Sequence, residues 1–293
     1  MKIVSLLPST TEICYALGLG DALVGVTHEC DFPVGALAKP KLTANVLPEG
    51  PHSSADIDRM ISERVLSGQS IYHLDTGLLT ELAPDLILTQ ELCEVCAVSY
   101  TDVLAAAQAL PKVPEVAAFE PHTIEEILAS IGEVARLAGV RERGEEVVAA
   151  LRSRLAAVAE RTGDRPAPSV LCLEWLSPPM VGGHWVPEMV RLAGGVDVLG
   201  PEGQPSTYVT WEQIAVADSD VIIVMPCGYD LPATCVAMRE LNDIPAWHTL
   251  RAVREGRVYP VDGSSYFNRP GPRVVDGVEL LARLIHQAAV PAS

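Results

Sequence analysis

Residues 1–27 read MKIVSLLPSTTEICYALGLGDALVGVT, and this stretch predicts a strand, a helix and a second strand in succession. Residues 2–7 form a short apolar run, and Ser9 with Glu12 has the spacing of a capping box that opens a helix. Glycines end the helix, and residues 23–27 form the next apolar run. A strand, a helix and a strand in this order are typical of an α/β fold with a parallel sheet.

The same pattern recurs along the rest of the chain. We predict further strands at residues 85–90, 169–174 and 257–261, and helices at residues 78–82, 103–110, 123–139, 144–161, 187–193 and 274–288. The segment LAPDLILTQ at residues 82–90 is similar to VADSDVIIVM at residues 216–225, which indicates two related halves. The predicted domains are an N-terminal α/β lobe at residues 1–143, a bridging helix at 144–161 and a C-terminal α/β lobe at 162–293.

The composition argues against several classes of protein. The 293 residues are 48% hydrophobic, which is enough for a folded core. The 38 Asp and Glu residues outnumber 21 Lys and Arg, and the net charge of −17 repels nucleic acids and anionic membrane surfaces. No apolar run approaches the roughly 18 residues of a membrane-spanning helix, and the N-terminal residues lack the apolar core of a signal peptide. We therefore expect a cytoplasmic chain without membrane insertion, or a periplasmic or extracellular chain if an upstream signal was removed.

Candidate ligand-binding residues follow the predicted strands, because ligands of open α/β sheets bind beyond the carboxyl ends of the strands. These positions carry imidazole, thiol, indole, carboxylate and amide groups. They include His28, Glu29, Cys30, Gln90, Cys93, Cys96, Trp175, His184, Trp185, Cys227 and Tyr266. The other histidines lie in polar loops or at helix ends, where a solvated or capping role is expected. They are His52, His73, His122, His248 and His286.

The cysteines leave two alternatives open. Their odd number, seven, favours free thiols over a disulfide framework. One alternative is a direct site for zinc, iron or copper, formed by Cys93, Cys96 and Cys227 with His28 and Cys30. The other is a redox dithiol formed by Cys93 and Cys96. The sequence has no G-x-S-x-G, Walker A or G-x-G-x-x-G motif, so Ser-His-Asp hydrolase, dinucleotide and ATP chemistry have no support from it.

Five stretches, in their order along the chain, carry a resemblance to a known family. They are VSLLPSTTEICYALGLGDALVGVTHECDFP (4–33), LAPDLILT (82–89), PPMVGGHWVPEMVRLAGGVDVLG (178–200), SDVIIVMPCG (219–228) and SSYFNRPGPR (264–273). The chain resembles the class III solute-binding proteins of iron-siderophore and vitamin B12 uptake, most closely the vitamin B12-binding branch. The resemblance covers nearly the whole chain and implies two Rossmann-like lobes bridged by a single long helix.

The resemblance also implies a binding protein without enzymatic activity, together with its ligand and its partner. The ligand would be cobalamin, another corrinoid or a related small-molecule metal chelate held between the lobes, and the partner would be an ABC transporter permease. Aromatic side chains line the corrin in the vitamin B12-binding relatives, and the matching positions here are Glu29, Gln90, Met180 and Tyr266, of which only Tyr266 is aromatic. The expected contacts, by packing and axial coordination, come from His28, Cys30, Trp175, His184, Trp185 and Tyr266.

Overall fold

The computed structural model describes residues 1–48, 50, 52–67, 69–90, 98–163 and 165–287. The chain divides into two compact units. Unit 1 comprises residues 1–51, 59–121 and 128–148, and unit 2 comprises residues 52–58, 122–127 and 149–293. Two short segments, 52–58 and 122–127, therefore belong to unit 2, although the sequence analysis assigns them to the first lobe.

The first half of the chain alternates strands and helices. The strands are β1 (Ile3–Ser5), β2 (Leu23–Val26), β3 (Thr43–Asn45), β4 (Tyr72–Leu74), β5 (Leu86–Thr89) and β6 (Glu115–Ala118). The helices are α1 (Pro8–Ala16), α2 (Ser54–Leu66), α3 (Thr76–Leu82), α4 (Tyr100–Gln108), α5 (Ile124–Leu137) and α6 (Arg141–Thr162). Helix α6 confirms the long helix predicted at residues 144–161, and its residues 141–148 belong to unit 1 while 149–162 belong to unit 2.

The second half of the chain repeats the alternation. The strands are β7 (Ser169–Leu176), β8 (Pro179–Val181), β9 (Val196–Asp197), β10 (Thr207–Tyr208), β11 (Val221–Val224) and β12 (Val258–Pro260). The helices are α7 (Val186–Leu192), α8 (Trp211–Ala217), α9 (Leu231–Ala237), α10 (Arg251–Arg254), α11 (Gly263–Tyr266) and α12 (Val274–Ile285). None of the described helices has the combination of length and apolar character that crossing a membrane requires.

The central sheets of the two units share one strand order. In unit 1 the parallel order is β2-β1-β5-β6, and in unit 2 strands β9, β7, β11 and β12 pair in the corresponding parallel order. The predicted duplication is thus confirmed. Strand β5 reads LILT and is buried throughout, as expected for a parallel strand covered on both faces. Unit 2 adds the antiparallel strand β8, which pairs with the carboxyl-terminal half of β7, and the antiparallel strand β10, which pairs with β8.

The start of helix α1 differs from the prediction. The helix begins at Pro8 with Leu7 as its N-cap, and no side chain caps it, so the capping box assigned to Ser9 and Glu12 is wrong. Proline suits the first helical position because it lacks an N–H and its φ angle is already helical. Ser9 then falls inside the first turn, where it is buried.

The capping box predicted at the start of α5 is confirmed. Thr123 Oγ1 accepts the main-chain N–H of Glu126 at 3.2 Å, and Glu126 Oε2 accepts the main-chain N–H groups of Thr123 at 3.1 Å and His122 at 2.6 Å. These bonds satisfy donors that the helix leaves unpaired at its first turn.

Replacing Thr123 with alanine is expected to lower the free energy of unfolding by about 1 kcal/mol, because the side-chain acceptor at the N-cap is lost. Thr123→Ser keeps the hydroxyl and is the control, and its stability should remain close to that of the original protein. Denaturant unfolding followed by tryptophan fluorescence reports on unit 2, which contains all four tryptophans, at 175, 185, 211 and 247. If Thr123→Ala and Thr123→Ser lowered the free energy of unfolding equally, a capping role of the Thr123 hydroxyl would be contradicted.

Candidate functional site

The candidate site of unit 1 lies at the carboxyl end of β2. A small pocket there has a cavity volume of about 10 Å³, roughly the space that one water molecule occupies. Sites that enclose a drug-sized ligand usually have about 300–1,000 Å³, so this pocket can receive only a small group. The pocket is lined by Leu6, Pro8, Thr27, His28, Glu29, Thr43, Tyr72 and Val98.

His28 is fixed within this pocket by Thr43. Thr43 Oγ1 accepts the main-chain N–H of His28 at 3.1 Å and lies 2.7 Å from its Nδ1. His28 Nε2 lies 3.4 Å from Glu29 Oε1, and the imidazole ring is 5.6 Å from the ring of Tyr72. Two of the predicted ligand residues, His28 and Glu29, are therefore brought together. Gln90 is half-buried directly after β5.

The Cys30 side chain does not reach this pocket. It is 1% exposed, and its Sγ lies 3.1 Å from Thr11 Oγ1 and 3.4 Å from Thr27 Oγ1. Burial raises the pKa of the thiol, which keeps it protonated near neutral pH. The structure thus places Cys30 among interior groups, and a ligand role for it requires a thiolate that this environment disfavours.

The other predicted thiol ligands do not form a metal cluster in the part of the chain that the structure describes. Cys93 and Cys96 lie outside the described residues. Cys227 is half-buried after β11 in unit 2, where its main-chain N–H donates to the Glu174 carbonyl at 3.1 Å. Among the described residues, no group of three or more His, Cys, Asp or Glu side chains is arranged to hold a metal ion.

His184 is the most constrained of the candidate residues in unit 2. Its backbone has φ of 49°, in the left-handed region that non-glycine residues rarely adopt. Its N–H donates to the Gln204 carbonyl at 2.5 Å, and its own carbonyl accepts the N–H of Gly203 at 2.9 Å. Such conformations persist where the surroundings impose them, and they cluster at ligand-binding sites.

The imidazole of His184 lies among other rings. Its centroid is 5.2 Å from that of His122 and 5.6 Å from that of Trp185. Burial, and then the neighbouring His122, lower the pKa of His184. The ring is therefore neutral at pH 7, the state in which imidazole binds metals.

The two tryptophans predicted to contact ligand are largely buried. Each is 8% exposed. Trp175 Nε1 donates to the Ser54 carbonyl at 3.2 Å, and Trp185 Nε1 donates to the Phe267 carbonyl at 2.8 Å. Both indole N–H groups are thus used within unit 2. Little indole area is exposed, and the ligand contacts expected of Trp175 and Trp185 stay a prediction.

The two remaining predicted residues are half-buried in unit 2. Met180 lies in β8, where it pairs with Trp175 of β7 and with Tyr208 of β10. Tyr266 ends α11, and the guanidinium of Arg273 lies 5.9 Å from its ring centroid. One thioether therefore lies within strand β8, and one aromatic ring lies at the end of α11.

His122 is a candidate residue that the sequence does not reveal. The sequence predicts a solvated or capping role for it, yet its Nδ1 is buried and has no hydrogen-bond partner among the described residues. The signal that could have found it is β6, which ends four residues earlier and was not predicted. Because ligands of open α/β sheets bind beyond the carboxyl ends of the strands, a predicted β6 would make His122 a candidate ligand-binding residue.

The chain belongs to the periplasmic binding protein family, which it matches over residues 3–264. This confirms the resemblance drawn from the sequence.

Individual relatives extend the likeness over most of the chain. A vitamin B12-binding protein of Vibrio cholerae is 25% identical over 95% of this chain and 86% of its own. An uncharacterized ABC transporter substrate-binding lipoprotein of Bacillus subtilis, YvrC, is 24% identical over 97% of this chain and 80% of its own. The crystal structure of a periplasmic heme-binding protein from Pseudomonas aeruginosa has the same fold, with a TM-score of 0.73 at 20% identity, and covers 100% of this chain and 95% of its own.

Proposed function

We propose that this chain is the substrate-binding component of an ABC transporter and that it binds a planar metal macrocycle, a corrinoid or a heme. The names of its relatives support the transport role and the class of ligand. The protein would act without catalysis and deliver its ligand to a membrane permease. The predicted cytoplasmic location stays a prediction.

His184 is the observation that carries the ligand proposal. It is a neutral imidazole held in a rare backbone conformation, and imidazole is a usual axial ligand of macrocyclic iron. A coordinating side chain that is already in position loses little conformational freedom when the macrocycle binds, and this increases the affinity. We therefore assign axial coordination of the macrocyclic metal to His184.

Coordination matters here because the described candidate residues of unit 2 expose little apolar area. Apolar burial contributes about 25 cal/mol per Å² of surface removed from water. Trp175 and Trp185 are 8% exposed, so they contribute little such area. Met180 and Tyr266 are half-buried and offer only part of their surfaces. We infer that a macrocycle with an axial position open to imidazole binds more tightly than one whose axial positions are both filled.

Titrations with three ligands test the proposal. Hemin and aquocobalamin have an exchangeable axial position, whereas both axial positions of cyanocobalamin are occupied. We expect hemin or aquocobalamin to bind with the visible shift that an imidazole ligand causes, and cyanocobalamin to bind more weakly than aquocobalamin. His184→Asn, which tolerates the left-handed backbone, should weaken the coordinated complex at least about tenfold, or 1.4 kcal/mol.

The matched control is His248→Asn. His248 is exposed, and its Nε2 contacts the Asn242 carbonyl at 2.9 Å. Its replacement should leave all three affinities unchanged. If none of the ligands binds at micromolar protein, the proposed ligand class is wrong. If the ligands bind and His184→Asn has no effect, the assignment of His184 is wrong while the class of ligand stands.

A further inference from the structure

Unit 2 contains a pair of imidazoles, of which the proposed function uses His184 and leaves His122 unexplained. His122 comes just before α5, and His184 follows β8, 62 positions later in the chain. Their ring centroids lie 5.2 Å apart with an interplanar angle of 40°. His122 Nδ1 is buried without a hydrogen-bond partner among the described residues. A buried polar atom in this state calls for a partner such as water or an ion.

We propose that His122 and His184 together bind a divalent transition-metal ion, with Zn²⁺ as the representative. Zn²⁺ lies about 2.0–2.1 Å from an imidazole nitrogen, and therefore about 3.2 Å from the ring centroid. Two imidazoles on a tetrahedral ion then have centroids about 5.2 Å apart. The observed separation matches this value. Imidazole suits Zn²⁺, Ni²⁺ and Cu²⁺, whereas the hard cations Mg²⁺ and Ca²⁺ prefer oxygen ligands.

The surrounding charges favour a cation. Glu126 Oε2 accepts the main-chain N–H groups of His122 and Thr123 at 2.6 and 3.1 Å. Glu188 Oε2 accepts the N–H of Ile124 at 2.7 Å. These carboxylates offset the positive end of the α5 dipole, which would otherwise repel a metal ion.

One further carboxylate, Glu202, and one arginine, Arg191, lie on the same segments. Glu202 pairs with His184 through an isolated backbone bridge. Arg191 donates to Glu188 and Glu202 at 3.3 and 3.0 Å. The segments that carry the two imidazoles thus bear three carboxylates, Glu126, Glu188 and Glu202, and one guanidinium, Arg191, and this balance of charge favours a dication.

Both histidines are well positioned for shared binding. The capping box fixes the backbone at His122, and the bonds to Gln204 and Gly203 fix the backbone at His184. Two anchored ligands act as a chelate, since the first bond to the metal raises the effective concentration of the second imidazole. The remaining coordination positions would be filled by water. The pair differs from the metal cluster predicted from the sequence, which uses His28 and cysteines.

Zn²⁺ titration of protein labelled with ¹⁵N in its seven histidines tests the site. The imidazole resonances of His122 and His184 should shift together at one equivalent, whereas His248 should not shift. Zn²⁺ bound elsewhere, for example by cysteines, would leave both resonances in place, and that result would overturn the proposal. The titration uses Zn²⁺ alone, without heme or corrinoid. A negative result would therefore overturn the Zn²⁺ site and leave the proposed transport function untouched.

Variants supply the second readout, by calorimetry. His122→Gln and His184→Asn should each weaken Zn²⁺ binding at this site at least about tenfold, and the double variant should be little weaker than either, because each single change removes the chelate. His248→Asn is the control and should bind as the original protein does. The His184→Asn variant retains a residue that tolerates the backbone, and its circular dichroism spectrum checks that it folds. If the losses of Zn²⁺-binding free energy in the two single variants add up in the double variant, the two histidines do not share one ion.

Discussion

Replacing Phe267 with alanine is expected to lower the free energy of unfolding of unit 2 by about 3–5 kcal/mol. Phe267 is 0% exposed, so the substitution removes a fully buried ring and leaves a cavity. The carbonyl of the same residue accepts the Trp185 indole N–H at 2.8 Å. Collapse of the backbone into the cavity would therefore also disturb the residue next to His184.

Tryptophan fluorescence during denaturant unfolding measures this effect. The control is Val216→Ala, because Val216 is 87% exposed and also lies in unit 2. Its free energy of unfolding should change by no more than about 0.5 kcal/mol. A loss below about 1 kcal/mol for Phe267→Ala would contradict a core role, since large-to-small changes at buried sites cost more than that.

Gly183→Ala is expected to have the second large effect, on stability and on binding together. A Cβ at this position would lie within 3 Å of backbone atoms of Gln204, Pro205 and Ser206. Backbone atoms cannot change rotamer as a flexible side chain does, so the segment 204–206 must shift to accommodate the Cβ. Overpacking of this kind lowers the free energy of unfolding by about 1–3 kcal/mol, occasionally more.

The binding loss follows from the same contacts. Gln204 accepts the N–H of His184 at 2.5 Å, and Ser206 Oγ accepts the N–H of Gly183 at 3.0 Å. A shift of this segment moves His184, so hemin or aquocobalamin affinity should fall at least about tenfold, as for His184→Asn. Gly132→Ala is the control, because no atom lies within 4 Å of its added Cβ and its site is helical. A Gly183→Ala variant with unchanged stability and binding would contradict this role.

Features of the fold that depend on local pattern could be predicted from the sequence. The run at residues 85–90 identifies β5 because parallel strands covered on both faces are apolar throughout. The long helix α6 follows from apolar residues at helical spacing. The start of α1 was misassigned because Pro8 and Ser9 both suit a helix start, and only the backbone shows that Pro8 is helical.

The candidate site was predicted less completely, because side-chain direction is set by tertiary contacts. The sequence places Cys30 beside His28, but the fold turns its thiol toward Thr11 and Thr27. The pairing of His122 with His184 joins residues far apart in the chain, which no local pattern reveals. The indole N–H of Trp185 likewise bonds to the carbonyl of Phe267, 82 positions later in the chain, and no local pattern predicts this contact.

The visible spectrum of the hemin complex tests the assignment of His184 most directly. We expect the original protein to give an imidazole-ligated spectrum, His184→Asn to change it, and free imidazole added to the variant to restore it. Identical spectra for the original protein and His184→Asn, both insensitive to added imidazole, would contradict coordination of the macrocyclic metal by His184.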